Sequence, residues 1–300
     1  VVTLSECWGR DGIQPESFVP TSSKLAVLAA AAAAGFRRIE LTSFAHPRAW
    51  PQFADADAVV ASYERAPGVE YAVLVPNARG LDRALANPRF DRVILVVAAS
   101  DSYNRRNVGR STDDSLAEAV LLAGRARAAG LAVTGCAGTA WACPVEGPTP
   151  PSRVAAMAAR FAEAGADEVM LGDTTGEAQP RSAASLVALV GEACGLPVEA
   201  HFHDSRGVAL ANAFAALDAG ATTIDCALGG VGGHPPEEGV QRGTAGNLCS
   251  EDLATAFAAA GVATGLDLGR LLDAGRAAEE ALGRSLNSRV LRAGLPVALH

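Results

Sequence analysis

Short β-type runs alternate with Ala- and Leu-rich helical stretches along this chain, eight times over. The runs are Val1–Cys7, Arg38–Thr42, Glu70–Val75, Arg92–Ala98, Ala132–Ala137, Glu168–Leu171, Val198–Phe202 and Thr222–Ala227. Helical patterns lie between them near 22–35, 55–65, 78–86, 113–129, 151–164, 181–193 and 207–219, and another follows near 250–261. Strands alternating with helices of this length imply a parallel sheet. An open doubly wound sheet and a closed barrel both satisfy that pattern, and eight units within about 260 residues favour the barrel. Ala34-Gly35, Ala129-Gly130, Ala164-Gly165 and Ala219-Gly220 each precede a strand. They read as helix ends capped by glycine, marking the face where strands begin. The expectation is an α/β fold, a (β/α)8 TIM barrel over 1–265 with a C-terminal helical extension over 266–300.

Composition removes several function classes. The net charge is −8, without the basic stripe that a nucleic-acid surface needs. Aromatics are 5%, so Ala, Val and Leu are expected to fill the core. Lys24 is the only lysine among 25 basic residues. It precedes an apolar helical run and reads as a solvated helix-start residue, which argues against Schiff-base or P-loop chemistry. Six scattered Cys with no C-x-x-C pair read as reduced thiols, hence a cytoplasmic protein. The start shows no basic stretch followed by an apolar run, so no signal peptide is expected, and the missing Met suggests a start inside a longer reading frame. The longest apolar run, Leu25 to Phe36, is too short to cross a membrane.

In such barrels the chemistry sits where strands end and helices begin. His201 and His203 stand two apart at the end of the seventh run, so both imidazoles face the same side. Two inward histidines at the end of an apolar strand point to a metal, the alternative being a hydrogen-bonded pair of core histidines. Closure of the barrel places the eighth strand beside the seventh and the first. Asp11, the two histidines and the loop bearing Asn247 then converge on one sector, with Glu40 on the next strand. Two imidazoles, a carboxylate and an amide oxygen suit Mg²⁺ or Mn²⁺, with Zn²⁺ or Co²⁺ as alternatives. The glycines from Gly229 to Gly233 follow the last strand rather than the first, and Pro235-Pro236 prevents an immediate helix. A mobile active-site loop fits them better than a dinucleotide fingerprint.

The chain resembles the 3-hydroxy-3-methylglutaryl-CoA lyase branch of the DRE-TIM metallolyases over nearly its whole length. The motifs are Arg10-Asp11-Gly12-Ile13-Gln14, Ile39-Glu40-Leu41-Thr42-Ser43-Phe44, Cys143-Pro144-Val145-Glu146-Gly147, Gly172-Asp173-Thr174, His201-Phe202-His203-Asp204, Gly230 to Gly233, and Gly246-Asn247 through Leu253. The resemblance implies Asp11, His201, His203 and Asn247 as metal ligands. It implies Arg10, Glu40 and Asp173 as catalytic residues, with Arg10 on the substrate oxygens and Glu40 supporting the ligands. His234 joins them as a catalytic candidate from its own chemistry, an imidazole on the presumed active-site loop. Gln14, Thr174, Asn104 and Arg106 are the implied substrate-binding residues, the last two from a stretch, Ala98 to Asn107, like the one beside the acyl-CoA. The resemblance also implies a homodimer, at which the apolar tail helices hint. His234 departs from the family, which carries Cys there, and the following loop is longer, with Glu237-Glu238 and Gln241-Arg242.

The implied reaction is cleavage of a carbon–carbon bond beside a hydroxyl, releasing an enolate. A metal would polarise the oxygens, always-charged Arg10 would face the enolate, and His234 would protonate its carbon. The leading expectation is a divalent-metal lyase for a 3-hydroxyacyl-CoA such as hydroxymethylglutaryl-CoA. A divergent aldolase or lyase of the same barrel, acting on another 3-hydroxy or 4-hydroxy-2-oxo acid, is the alternative. A catalytically silent metal-binding barrel is the third reading.

Overall fold

In the computed structural model, which describes residues 2–233 and 246–299, eight parallel strands close into a barrel. The strands are β1 (Thr3–Glu6), β2 (Arg38–Ser43), β3 (Glu70–Leu74), β4 (Arg92–Ala98), β5 (Ala132–Gly138), β6 (Glu168–Asp173), β7 (Val198–Phe202) and β8 (Thr223–Cys226). β8 pairs with β1 through Thr3–Thr223 to Glu6–Cys226, which closes the ring. The helices are α1 (Thr21–Ala34), α2 (Ala56–Ser62), α3 (Ala78–Leu85), α4 (Asp101–Val108), α5 (Thr112–Ala128), α6 (Pro151–Glu163), α7 (Pro180–Cys194), α8 (Ala209–Asp218) and α9 (Ser250–Ala259). Beyond the barrel come α10 (Leu268–Leu282), along α1, and the short α11 (Arg289–Ala293). α4 had no counterpart in the helical pattern: its first turn is capped by Ser100, whose hydroxyl accepts from Tyr103 N–H. All four Ala-Gly glycines have positive φ, the left-handed conformation that ends a helix without a Cβ clash. Among the described residues no helix is long and apolar enough to cross a membrane.

The core differs from its expected composition in one respect. Ala, Val, Leu and Phe do fill the layer between strands and helices. Inside the barrel, however, only a thin apolar floor of Ala72, Ile94, Cys136 and Met170 separates the mouth from a layer of charges at the strand starts. Arg38 donates to Glu70 at 2.7 Å, Glu168 at 2.5 Å and Glu199 at 3.2 Å, and Arg92 donates to Glu70 and to Thr134 at 2.9 Å. These residues open their strands, where sequence alone suggests solvated ends. Barrel closure buries all of these but Glu70, which stays half-buried. The two guanidiniums find carboxylate partners, while burial and neighbouring Glu168 push the Glu199 carboxyl well up.

Lys24 is a correction of the same kind. It is 2% exposed, not solvated. Its ammonium donates to Asp55 at 2.6 Å and to the Gln52 carbonyl at 2.5 Å, and lies 4.6 Å from the centre of the Phe18 ring. The partners lie about thirty residues away, so no local pattern announces them. Lys24→Ala leaves Asp55 without its cation and is expected to lower the unfolding free energy by about 3 kcal/mol. Urea denaturation measures that loss, and kcat is expected to stay at the wild-type value.

Candidate active site

The first functional arm is a widened turn directly after β1. Gly12 N–H bonds to the Cys7 carbonyl at 3.1 Å and Ile13 N–H to the Trp8 carbonyl at 3.0 Å, both five residues back. One residue more than an α-turn holds is accommodated, a device frequent at functional sites. Gly9 lets this turn press on β2: a Cβ there would lie 2.7 Å from the Glu40 carbonyl oxygen and 2.8 Å from that of Leu41. The turn thereby aims Arg10 and Asp11 over the barrel mouth. Arg10 Nε donates to Glu40 at 2.5 Å and Nη1 to Asp11 at 2.6 Å, and Nη2 lies 3.8 Å from Asp225. Burial alone would lower the Arg10 pKa, but Glu40 and Asp11 outweigh it and keep the guanidinium charged. Burial likewise pushes the Asp11 carboxyl up, and Arg10 with His203 and His201 more than reverses this, holding it well below its usual range.

His201 on β7 and His203, just past its end, meet this arm. Both are buried, and their Nε2 atoms face each other at 2.9 Å. His201 Nδ1 lies 2.6 Å from Asp225 and His203 Nδ1 2.7 Å from the Thr174 carbonyl. A carbonyl and a carboxylate only accept, so both Nδ1 atoms carry the proton. Burial opposes charge on His201, but Asp225 outweighs it and raises the His201 pKa. Two Nε2 atoms at this distance need a cation, a shared proton or a metal ion, between or beside them.

Asn247 completes the group. Its Nδ2 donates to Asp11 Oδ2 and to the Val231 carbonyl, each at 2.9 Å. Its Oδ1 is buried without a hydrogen-bond partner. Asp11 Oδ2 also accepts from Gly233 N–H at 3.2 Å. Gly232 has φ +96°, and a Cβ there would lie 2.4 Å from the Asp11 carbonyl oxygen, so only glycine brings this loop so close. Ligand atoms of Asp11, His201 and His203 lie within 4.8 Å of one another. Three carboxylates, Asp11, Glu40 and Asp225, surround these groups with one guanidinium. The donors, the orphaned Oδ1 and the surplus negative charge fit a divalent cation, and the mixed N/O set has the character of an octahedral site.

The other sequence-predicted residues fall into different places. Gln14 and Thr174 line a pocket of about 290 Å³ at the mouth, together with Arg10, Asp11, His201 and His203. Glu40 is fully buried behind Arg10 and orients it rather than meeting a ligand. The Asp173 carboxylate accepts from Glu177 and Ala178 N–H and holds the loop after β6. Asn104 borders the pocket, yet its amide is committed to Ala98, Arg110, Ser111 and Ser115, so it shapes the wall. Arg106 is on the exposed side of α4 and lines neither this pocket nor its neighbour. His234 lies outside the described residues. Asp225 was missed. Its signal was an acid within the otherwise uncharged β8 (Thr-Ile-Asp-Cys), and the register pairs it with His201.

The pocket continues into a second cavity of about 500 Å³, the two sharing His46, Pro76, Asn77, Val96 and Val108. Arg79 and Arg83 of α3 border that second cavity.

The model of the HMGL-like family matches residues 2–277. The chain belongs to the HMGL-like family. It is 35% identical over 293 residues to a hydroxymethylglutaryl-CoA lyase of Bacillus subtilis, covering 97% of this chain and 96% of that protein. It is 37% identical over 305 residues to an (R)-citramalyl-CoA lyase of Chloroflexus aurantiacus, covering 98% and 95%. Among solved structures, an HMG-CoA lyase from Acinetobacter baumannii in complex with coenzyme A and 3-methylmalate superposes with a TM-score of 0.92 at 30% identity, over 100% of this chain and 97% of that one. The chain is therefore a carbon–carbon lyase of the HMGL-like family.

Proposed function

We propose that this lyase is divalent-metal-dependent and cleaves a short, branched 3-hydroxyacyl-CoA to acetyl-CoA and a keto acid, with hydroxymethylglutaryl-CoA as the leading substrate. The observation that carries the reading is the pair of opposed Nε2 atoms beside Asp11 and the orphaned Asn247 Oδ1. Asp11, His201, His203 and Asn247 would hold Mg²⁺ or Mn²⁺. The ion would supply Lewis-acid polarisation of the substrate's hydroxyl and carbonyl oxygens. Asp225 and the Thr174 carbonyl fix the tautomers of the two imidazoles, as partners of ligating histidines do. Arg10, oriented by Glu40 and Asp11, supplies N–H donors where negative charge grows on the enolate oxygen. Buried and preorganised, it stabilises that charge more than a solvated arginine would. The sequence offers His234 as the acid that protonates the enolate carbon. The 290 Å³ pocket suits the acyl group, and the adjoining cavity beside Arg79 and Arg83 suits a phosphate-bearing CoA arm.

A second substrate has support of its own. Relatives named for hydroxymethylglutaryl-CoA and for citramalyl-CoA are equally similar to this chain, and His234 departs from the Cys of the first group. The two substrates differ by one methylene between carboxylate and carbinol carbon, and each releases acetyl-CoA. Acetoacetate accompanies it in one case and pyruvate in the other. With Mg²⁺ or Mn²⁺ present, kcat/KM is expected to favour one thioester by about 10- to 200-fold. Release of neither keto acid from either thioester by a metal-loaded, folded protein would end the acyl-CoA reading.

A further inference from the structure

Three chain segments that carry the site meet on a single carboxylate with no part in the proposed chemistry. Glu6, the last residue of β1, is 1% exposed. Its Oε1 accepts from Trp8 N–H at 2.9 Å and Leu228 N–H at 3.0 Å, and its Oε2 from the Ser250 hydroxyl at 2.6 Å. Trp8 opens the turn that bears Arg10 and Asp11. Leu228 follows β8 and leads to Gly232 and Gly233, which pack on Asp11. Ser250 opens α9, three residues after Asn247.

A second support holds the same strut from outside. Gly229 N–H donates to both oxygens of buried Glu251, at 2.9 and 3.1 Å, while its carbonyl accepts from Asn287 N–H at 2.9 Å. The Leu286 side chain covers its α-carbon, where a Cβ would lie 2.3 Å from Cδ1. The segment after α10 is thus fastened to the residue next to Leu228, and Leu228 is fastened to Glu6.

We propose that Glu6 is a positioning residue for the metal site: by tying Trp8, Leu228 and Ser250 together it sets the separation of the Asp11 and Asn247 donors. The proposal rests on the metal reading above. Neither donor is held by a regular strand. Asp11 sits in the widened turn, and Asn247, bridged to His203 beside the end of β7, lies in the chain before α9. The bridge sets Asn247 against the histidines, whereas its spacing from Asp11 depends on what joins the turn to the segments around it. Metal–ligand distances tolerate only about 0.2 Å of drift, and residues behind the ligands typically contribute 10- to 100-fold in affinity.

The test is Mn²⁺ titration of the whole protein, followed by the EPR signal of free ion, with thermal melting in parallel. Glu6→Ala is expected to bind Mn²⁺ about tenfold more weakly. Glu6→Gln is expected to stay within about threefold, because its amide oxygen serves both N–H groups and its NH₂ can donate to the Ser250 oxygen. Rescue by Gln separates positioning from charge. Should Glu6→Ala fail to fold, Ser250→Ala removes one hydroxyl and is expected to weaken Mn²⁺ by about threefold while still melting cooperatively. Asp11→Asn is the control. If it weakens Mn²⁺ while folded Glu6→Ala or Ser250→Ala binds as wild type does, the proposal alone is overturned. If wild type and Asp11→Asn bind alike or not at all, the metal reading falls and takes the proposal with it.

Discussion

Arg10→Gln is expected to lower kcat about a thousandfold on whichever thioester the protein cleaves, with KM and Mn²⁺ affinity within about tenfold of wild type. Removing one donor to a developing oxyanion typically costs 10²- to 10³-fold. Arg10 belongs at the upper end because it is charged and nearly buried. Its guanidinium has five N–H donors, and the contacts to Glu40 and Asp11 do not use them all. A thousandfold corresponds to about 4 kcal/mol of transition-state stabilisation. Gln keeps a polar side chain but neither the charge nor the fork, and it leaves fully buried Glu40 without its cation. Arg10→Lys tests the second point. One ammonium cannot bridge Glu40 and Asp11 and also face the substrate, so a loss of about a hundredfold is expected despite the retained charge. Steady-state kinetics at saturating metal measure both variants. A fall in kcat/KM carried by KM alone would place Arg10 in ground-state binding instead.

What the sequence disclosed about this site, and what it hid, follows the range of the interactions. Strand and helix periods are local, and so are the Ala-Gly helix ends, so the barrel was legible. His201 and His203 were legible because the strand period itself places them on one side. The meeting of Asp11 with Asn247 needed one topological step, closure of β8 onto β1, which eight repeats imply. Asp225 stayed hidden, since a single acid shows its role only once register sets it beside His201. The polar cluster at the strand starts, Arg38 and Arg92 with Glu70, Glu168 and Glu199, stayed hidden for the same reason: an ionisable residue at a strand end looks solvated until closure surrounds it. Lys24 with Asp55 repeats the case outside the barrel. Asp173 and Asn104 occupy positions that a functional motif suggests, and in the structure backbone groups also bond to their polar atoms, an anchoring that the motif alone does not disclose.

His203→Ala is expected to weaken Mn²⁺ by more than a hundredfold and to bring cleavage to background, while the protein still melts as a folded barrel. The variant removes one of the four proposed donors and empties a small space at the barrel mouth. It also removes the group facing His201 Nε2 at 2.9 Å; with that ring poised for a metal rather than for its neighbour, the metal-free variant is expected to melt no lower than metal-free wild type. Metal separates the two proteins. At a hundredfold excess over its dissociation constant, a ligand that binds only the folded state adds about 2.7 kcal/mol. For a chain of this length that raises Tm by about 5 °C. Wild type is expected to show that rise with Mn²⁺ and His203→Ala to show none. Thermal melts with and without Mn²⁺ decide the matter before any substrate is chosen. A drop of several degrees in the metal-free variant would mean that the two imidazoles hold each other through a shared proton, as a structural pair rather than as ligands awaiting a cation.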